Sequence, residues 1–269
     1  MKQILSFINM SMEMTNLQII FIFILVSFVG GIAGYIGSLM VTKRMALMGG
    51  ALGHLTMPGI ALAAIYNFDV FLGALICLFF GIILIWLLEQ RTQLPIEALT
   101  AVVFASSLAI TFLVLPEGKT ILALVGDVSQ ISFQVTVITV ILSTIIFFII
   151  KKIFSGLVLM SISNNIASSI HIDVKKYKLI YLISIALVIA LGVRIVGGLM
   201  TAALVAIPAC TSKNLSKNLF QYSYGSMFLG SLACILGTLI FIITNIPAGP
   251  LIIISSSLFF AISLFLKKG

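Results

Sequence analysis

The run LQIIFIFILVSFVGGIAGYIGSLMV, Leu17 to Val41, contains no charged residue. Wound as an α-helix it reaches about 37 Å, more than the roughly 30 Å of hydrocarbon in a bilayer. Apolar runs of this kind recur near 51–66, 70–88, 96–115, 133–150, 179–193, 198–212, 223–244 and 251–266. Backbone inside lipid has to satisfy its own N–H and C=O groups, so each run reads as a helix. The expectation is an all-α, polytopic membrane helical bundle of eight to nine transmembrane helices, filling residues 1–269 as one domain. Eight applies if Pro58 breaks the short 51–66 segment.

Composition agrees. Of 269 residues, 61% are hydrophobic and 8% charged, whereas soluble domains carry about 25% charged residues. The net charge of +8 does not point to nucleic acid, because its placement follows membrane topology. With the N-terminus outside, Lys43, Arg44, Arg91, Lys151, Lys152, Lys175, Lys176, Lys178, Lys213, Lys217, Lys267 and Lys268 fall on the cytoplasmic side. Only Lys2, Lys119 and Arg194 fall outside. The positive-inside rule therefore predicts a multi-pass protein of the cell membrane with its C-terminus in the cytoplasm. No small-residue cleavage site follows the first run, so no removed signal peptide is expected. Cys77, Cys210 and Cys234 lie in apolar runs without CxxC spacing and read as packing residues.

His54 is the one histidine that hydropathy places inside a membrane segment, in Met48-Gly49-Gly50-Ala51-Leu52-Gly53-His54-Leu55-Thr56-Met57-Pro58-Gly59. An ionisable group there is costly and usually marks function. Neutral imidazole is a good ligand for zinc-like metals. A hydrogen bond to a neighbouring helix is the plainer alternative.

Two regions depart from simple up-and-down spans. Thr120 to Gln130 is too short to cross and too apolar to float, which predicts a re-entrant or interfacial segment at the outer face. Ser155 to Tyr177 is the longest cytoplasmic connection. Within it Ser163 or Asn164 can cap a short helix, and Ile162, Ile166 and Ile170 repeat at i, i+4. Such a helix either lies on the membrane surface or docks into a partner. Arg194, between two apolar runs, reads as a headgroup-snorkelling residue or an outer gate.

Arg44-Met45-Ala46-Leu47-Met48-Gly49, with His54 and Pro58-Gly59 after it, resembles the signature loop and helix of the ABC-type permeases that import zinc or manganese, the ABC-3 family. Gly197 to Thr211, with Ile207-Pro208-Ala209, is similar to that family's penultimate region. Asn245-Ile246-Pro247-Ala248-Gly249-Pro250 resembles its last outer turn. Leu124-Val125-Gly126-Asp127-Val128-Ser129 resembles a Phe-Gly-Asn-Ile-Leu element of the family. The matches run in order from about residue 20 to 266.

The resemblance implies a non-enzymatic permease subunit that pairs as a homodimer within membrane lipid. It also implies an extracytoplasmic metal-binding protein that delivers the substrate and a cytoplasmic ATP-binding subunit that drives transport. The chain has no Gly-x-x-x-x-Gly-Lys-Ser/Thr loop, so ATP hydrolysis belongs to another polypeptide. By resemblance the 161–173 segment becomes the coupling helix. Ile162, Ile166 and Ile170 anchor it in the ATPase, and His171 and Asp173 form its polar rim.

The family pattern sets an aspartate four residues before the histidine, on the same helix face. Here that position is Gly50. His54 remains as the metal ligand, with one copy from each subunit able to meet across a pore. Nitrogen without carboxylate favours zinc over manganese as the transported metal. Thr56, Met48 and Met57 are nearby donors, while Glu97 and Asp127 are candidate pathway residues, Asp127 with Arg194 at the outer gate. No cofactor bound by the chain itself is expected. No HExxH, serine–histidine or GxGD protease pattern is present. An ion-coupled secondary transporter would carry several intramembrane carboxylates, which the spans lack. A non-transporting scaffold stays open, and co-purification of a stoichiometric ATPase separates it from a primary transporter.

Overall fold

The computed structural model describes residues 16–66, 68–92, 94–114, 131–198 and 200–266. The described residues form helices α1 (Asn16–Thr42), α2 (Ala46–Leu55), α3 (Met57–Tyr66), α4 (Val70–Thr92), α5 (Ile96–Val114), α6 (Phe133–Ile162), α7 (Asn164–Ser169), α8 (Val174–Val196), α9 (Thr201–Leu215), α10 (Leu219–Thr244) and α11 (Ala248–Leu266). Seven of them, α1, α4, α5, α6, α8, α10 and α11, are long and apolar enough to cross a membrane. The expected 51–66 span is instead the pair α2 and α3, ten residues each, and the expected 198–212 span is the fifteen-residue α9. The segment 120–130 lies outside the described residues, and Asp127 with it.

Burial sorts the helices into two classes. The apolar window of α8 is 72% buried and that of α1 61%, against 28–33% for the other five long helices. Helix α8 is central, touching α1, α2, α4, α6, α9 and α11. The less buried helices turn large apolar side chains outward, among them Phe80, Phe112, Phe148 and Ile243. That is the surface a lipid solvent stabilises and water does not.

Helix α1 seats on α10 through glycines. A Cβ on Gly34 would run into the Ser226 carbonyl, and one on Gly30 into the Gly230 carbonyl and Cys234 Sγ. Without a hydrophobic drive between helices in lipid, close backbone approach of this kind supplies the packing energy. Ser231 Oγ completes the crossing by donating to the Ser27 carbonyl at 2.8 Å. Cys234 is fully buried there, which fits its reading as a packing residue.

Polar residues close the helix ends. Asp69 Oδ1 accepts from Phe71 N at 2.8 Å at the start of α4, and Asn218 Oδ1 from Gln221 N at 2.8 Å at the start of α10. Both are N-caps that satisfy otherwise orphaned amides. Asn245 ends α10 in the left-handed region at φ 57°, a conformation asparagine tolerates better than most residues.

Candidate functional site

Pro58 explains why α2 and α3 are two helices. In one continuous helix its ring would clash with the His54 carbonyl and its missing N–H would leave that carbonyl unpaired. The chain instead turns at Thr56, whose N–H bonds back to Gly53 O and His54 O. Thr56 Oγ1 donates to the Gly53 carbonyl at 2.5 Å, and helix restarts with Ile60 N to Thr56 O at 3.0 Å. Thr56 is therefore a structural hinge residue, fully buried with its hydroxyl already engaged.

The end of α2 is clamped against the segment entering α9. A Cβ on Gly53 would strike the Gly198 carbonyl and approach Thr201 Oγ1 at 2.5 Å; one on Gly198 would lie 2.9 Å from Thr56 Oγ1. This backbone-to-backbone seat positions the next residue, His54, toward α5. Its ring lies 5.2 Å from that of Phe104, tilted by 46°.

His54 is half-buried, and its Nδ1 is buried without a hydrogen-bond partner among the described residues. The other buried unpartnered side-chain atoms are hydroxyls of Ser107, Ser143, Tyr181, Tyr222 and Thr238. A serine or threonine hydroxyl on a helix can rotate toward a carbonyl one turn back; an imidazole nitrogen, like the hydroxyls of Tyr181 and Tyr222, has no such recourse. Leaving it unpaired costs about 1–3 kcal/mol. The interhelical hydrogen bond that would make His54 an ordinary packing residue is absent among the described residues.

Gly50, one turn before His54, is the open side of the site. Among the described residues outside its own turn of helix, a Cβ built there meets only the Ala202 Cβ within 4 Å, at 3.6 Å, an ordinary van der Waals contact. The position therefore has room for a side chain and carries none. No group of three or more His, Cys, Asp or Glu residues that could hold a metal ion exists among the described residues. Met48 is fully buried and Met57 half-buried. Glu97 is exposed in the first turn of α5, where its charge complements the helix dipole.

The other candidate residues fall at the two ends of the bundle. Arg194, near the end of α8, forms a 3.1 Å ion pair with Asp69, which also caps α4. Sequence reading weighed Arg194 with Asp127 and missed Asp69, whose partner is 125 residues away. The pair rims a cavity of about 300 Å³ lined mainly by apolar residues of α1, α4, α6 and α8.

At the far end, the expected coupling segment is reshaped. Helix α6 continues through Ile162, the chain extends at Ser163 (φ −159°, ψ 127°), and α7 spans only Asn164–Ser169. Ser163 Oγ accepts from Ile166 N at 3.5 Å, the cap expected of it. Ile162, Ile166 and Ile170 are all exposed, yet they do not share one helix: Ile162 ends α6, Ile166 is on α7 and Ile170 caps it. His171 turns the chain at φ 63°. Asp173 caps α8, and the Lys176 backbone N–H and ammonium hold its carboxyl below the usual carboxylate range.

Known proteins match this chain over nearly its whole length. It is 28% identical to the manganese import system permease protein ScaB of Streptococcus parasanguinis, over 88% of this chain and 86% of that protein. It is 26% identical to the high-affinity zinc uptake system membrane protein ZnuB of Haemophilus influenzae, over 87% and 91%. Among solved structures, PsaBC from Streptococcus pneumoniae in complex with Fab superposes with a TM-score of 0.80 at 25% identity, covering 98% of this chain and 96% of that one. The model of the ABC 3 transport family matches residues 16–267. With helices of membrane-spanning length and a family match over almost the whole chain, this protein is a member of the ABC 3 transport family.

Proposed function

We propose that this chain is the membrane-spanning permease subunit of an ATP-driven importer of a divalent metal, zinc in preference to manganese. The observation that carries the reading is the Nδ1 of His54, buried without a partner among the described residues, beside a helix break and one turn after Gly50. Relatives named for manganese import and for zinc uptake support a metal substrate without separating the two. The donor chemistry supports zinc: imidazole suits it, and manganese prefers carboxylate oxygens, of which position 50 offers none.

The permease works as a homodimer in the cell membrane, N-terminus outside, with eight crossings if one of the α2–α3 pair and α9 is counted with the seven long helices and nine if both are. One His54 from each copy faces the pathway and gives the metal a two-nitrogen resting point, weak enough to release it. A separate cytoplasmic ATPase grips the exposed Ile162, Ile166 and Ile170 around α7, with His171 and Asp173 on the rim. An extracytoplasmic binding protein loads the opposite face. Arg194 acts there through Asp69, as a tie between α8 and α4.

Metal-dependent ATPase activity in vesicles holding this chain and its partner ATPase tests the reading. Zinc stimulates wild type and fails to stimulate His54→Ala. If no divalent metal changes the rate and His54→Ala matches wild type, the metal pathway is wrong.

A further inference from the structure

We propose that the cavity between the ends of α1, α5, α6 and α8 binds a phosphate anion, carried by a phospholipid headgroup or free in solution. The cavity measures about 240 Å³ and is lined by Thr42, Lys43, Arg44, Ser161 and Lys178 together with apolar neighbours. Among the described residues three cations line it and no carboxylate does. The Glu89 carboxylate pairs with Lys178 from α4, so three positive groups share one negative one. Lys43 and Arg44 make no ion pair among the described residues.

The Lys43 ammonium and the Arg44 backbone are held in place. Lys43 Nζ lies 5.1 Å from the centroid of the buried Tyr181 ring. Arg44 occupies the left-handed region at φ 60°, pinned in the turn by its own N–H to Val41 O at 3.1 Å and by Met45 N to Met40 O at 2.8 Å. Such a conformation is uncommon outside glycine, and here it carries a guanidinium to a cavity rim. Thr42 and Ser161 spend their hydroxyl protons on carbonyls of their own helices, at 2.7 and 2.6 Å. The cations are therefore the donors offered to a ligand, and guanidinium with ammonium is the pairing that suits phosphate oxygens. Burial, then the Lys178 charge, pushes the Lys43 ammonium down to about 8, with Glu89 acting in the opposite sense. A phosphate oxygen in the cavity would act in the same sense as Glu89 and favour the charged form.

The purified chain, delipidated and exchanged into a mixture of phosphatidylglycerol and phosphatidylcholine, is examined by native mass spectrometry. A parallel arm measures thermal stability against inorganic phosphate. Wild type retains phosphatidylglycerol over phosphatidylcholine, or is stabilised by millimolar phosphate; the first result identifies a lipid source and the second a free anion. Retention or stabilisation falls about fivefold for each cation removed in Arg44→Gln and in Lys43→Gln with Arg44→Gln. Lys151→Gln with Lys152→Gln, an exposed pair outside the cavity, leaves both readouts unchanged. Should the double variant not fold, Arg44→Gln alone and the wild-type lipid preference still decide. Equal retention of the two lipids with no phosphate effect, or an equal loss in the Lys151 and Lys152 variant, overturns the proposal.

Discussion

The α1–α10 crossing and the α2–α3 break use the same device for opposite ends. In both, glycine lets one backbone press on another: Gly34 onto the Ser226 carbonyl, Gly53 onto the Gly198 carbonyl. At the crossing, two long helices of 27 and 26 residues run past each other, tied by the Ser231 hydroxyl to the Ser27 carbonyl. At the break, two ten-residue helices meet at Thr56, and the clamp holds a histidine whose Nδ1 has no partner among the described residues. Close packing serves stability in one place and the presentation of an unsatisfied group in the other.

Gly34→Leu breaks the first half of that comparison and has the largest effect. The added side chain has rigid backbone to displace, so the melting temperature in detergent collapses or the protein fails to accumulate, an overpacking cost of about 3 kcal/mol or more. Gly53→Val costs less stability, since it loosens only a short element. It abolishes metal-stimulated ATPase activity all the same, because His54 moves with the clamp.

His54→Ala separates presentation from packing. The melting point stays within a few degrees of wild type while metal-stimulated activity drops at least tenfold, about 1.4 kcal/mol or more. A large stability loss with retained activity would make His54 a packing residue after all. Gly50→Asp sharpens the same half: the Cβ fits, and a carboxylate one turn before His54 moves metal preference toward manganese by about tenfold, read as the ratio of manganese to zinc uptake. Arg194→Gln is the smallest change. Its half-exposed ion pair contributes up to about 1 kcal/mol, and unchanged uptake would remove Arg194 from any gate.

Hydrophobic run length made the long helices legible in the sequence. The expected run at 70–88 is Val70–Thr92 in the structure, and that at 223–244 is Leu219–Thr244. Run length says little about a segment that breaks. Pro58 signalled an interruption, but its position at Thr56 depends on the hydroxyl bond to Gly53 and on the seat against Gly198. Pairings between distant residues were equally hidden. Asp69 pairs with Arg194 and Glu89 with Lys178, partners that no local pattern connects. The 161–173 segment differs from its expected form for another reason. Ile162, Ile166 and Ile170 keep helical spacing in the sequence, and only the extended backbone at Ser163 divides them.

Helix α6 is 30 residues long, about 45 Å, and outreaches a bilayer core by roughly 15 Å. Its final turns are not loose: Ile153, Gly156, Leu157 and Met160 are buried, and a Cβ on Gly156 would lie 2.6 Å from the Tyr177 ring. A stiff rod that overhangs its support acts as a lever, and a tilt of about 5° about one end carries the other roughly 4 Å sideways. Where α6 meets α7, small rotations in the lipid become displacements the size of a side chain.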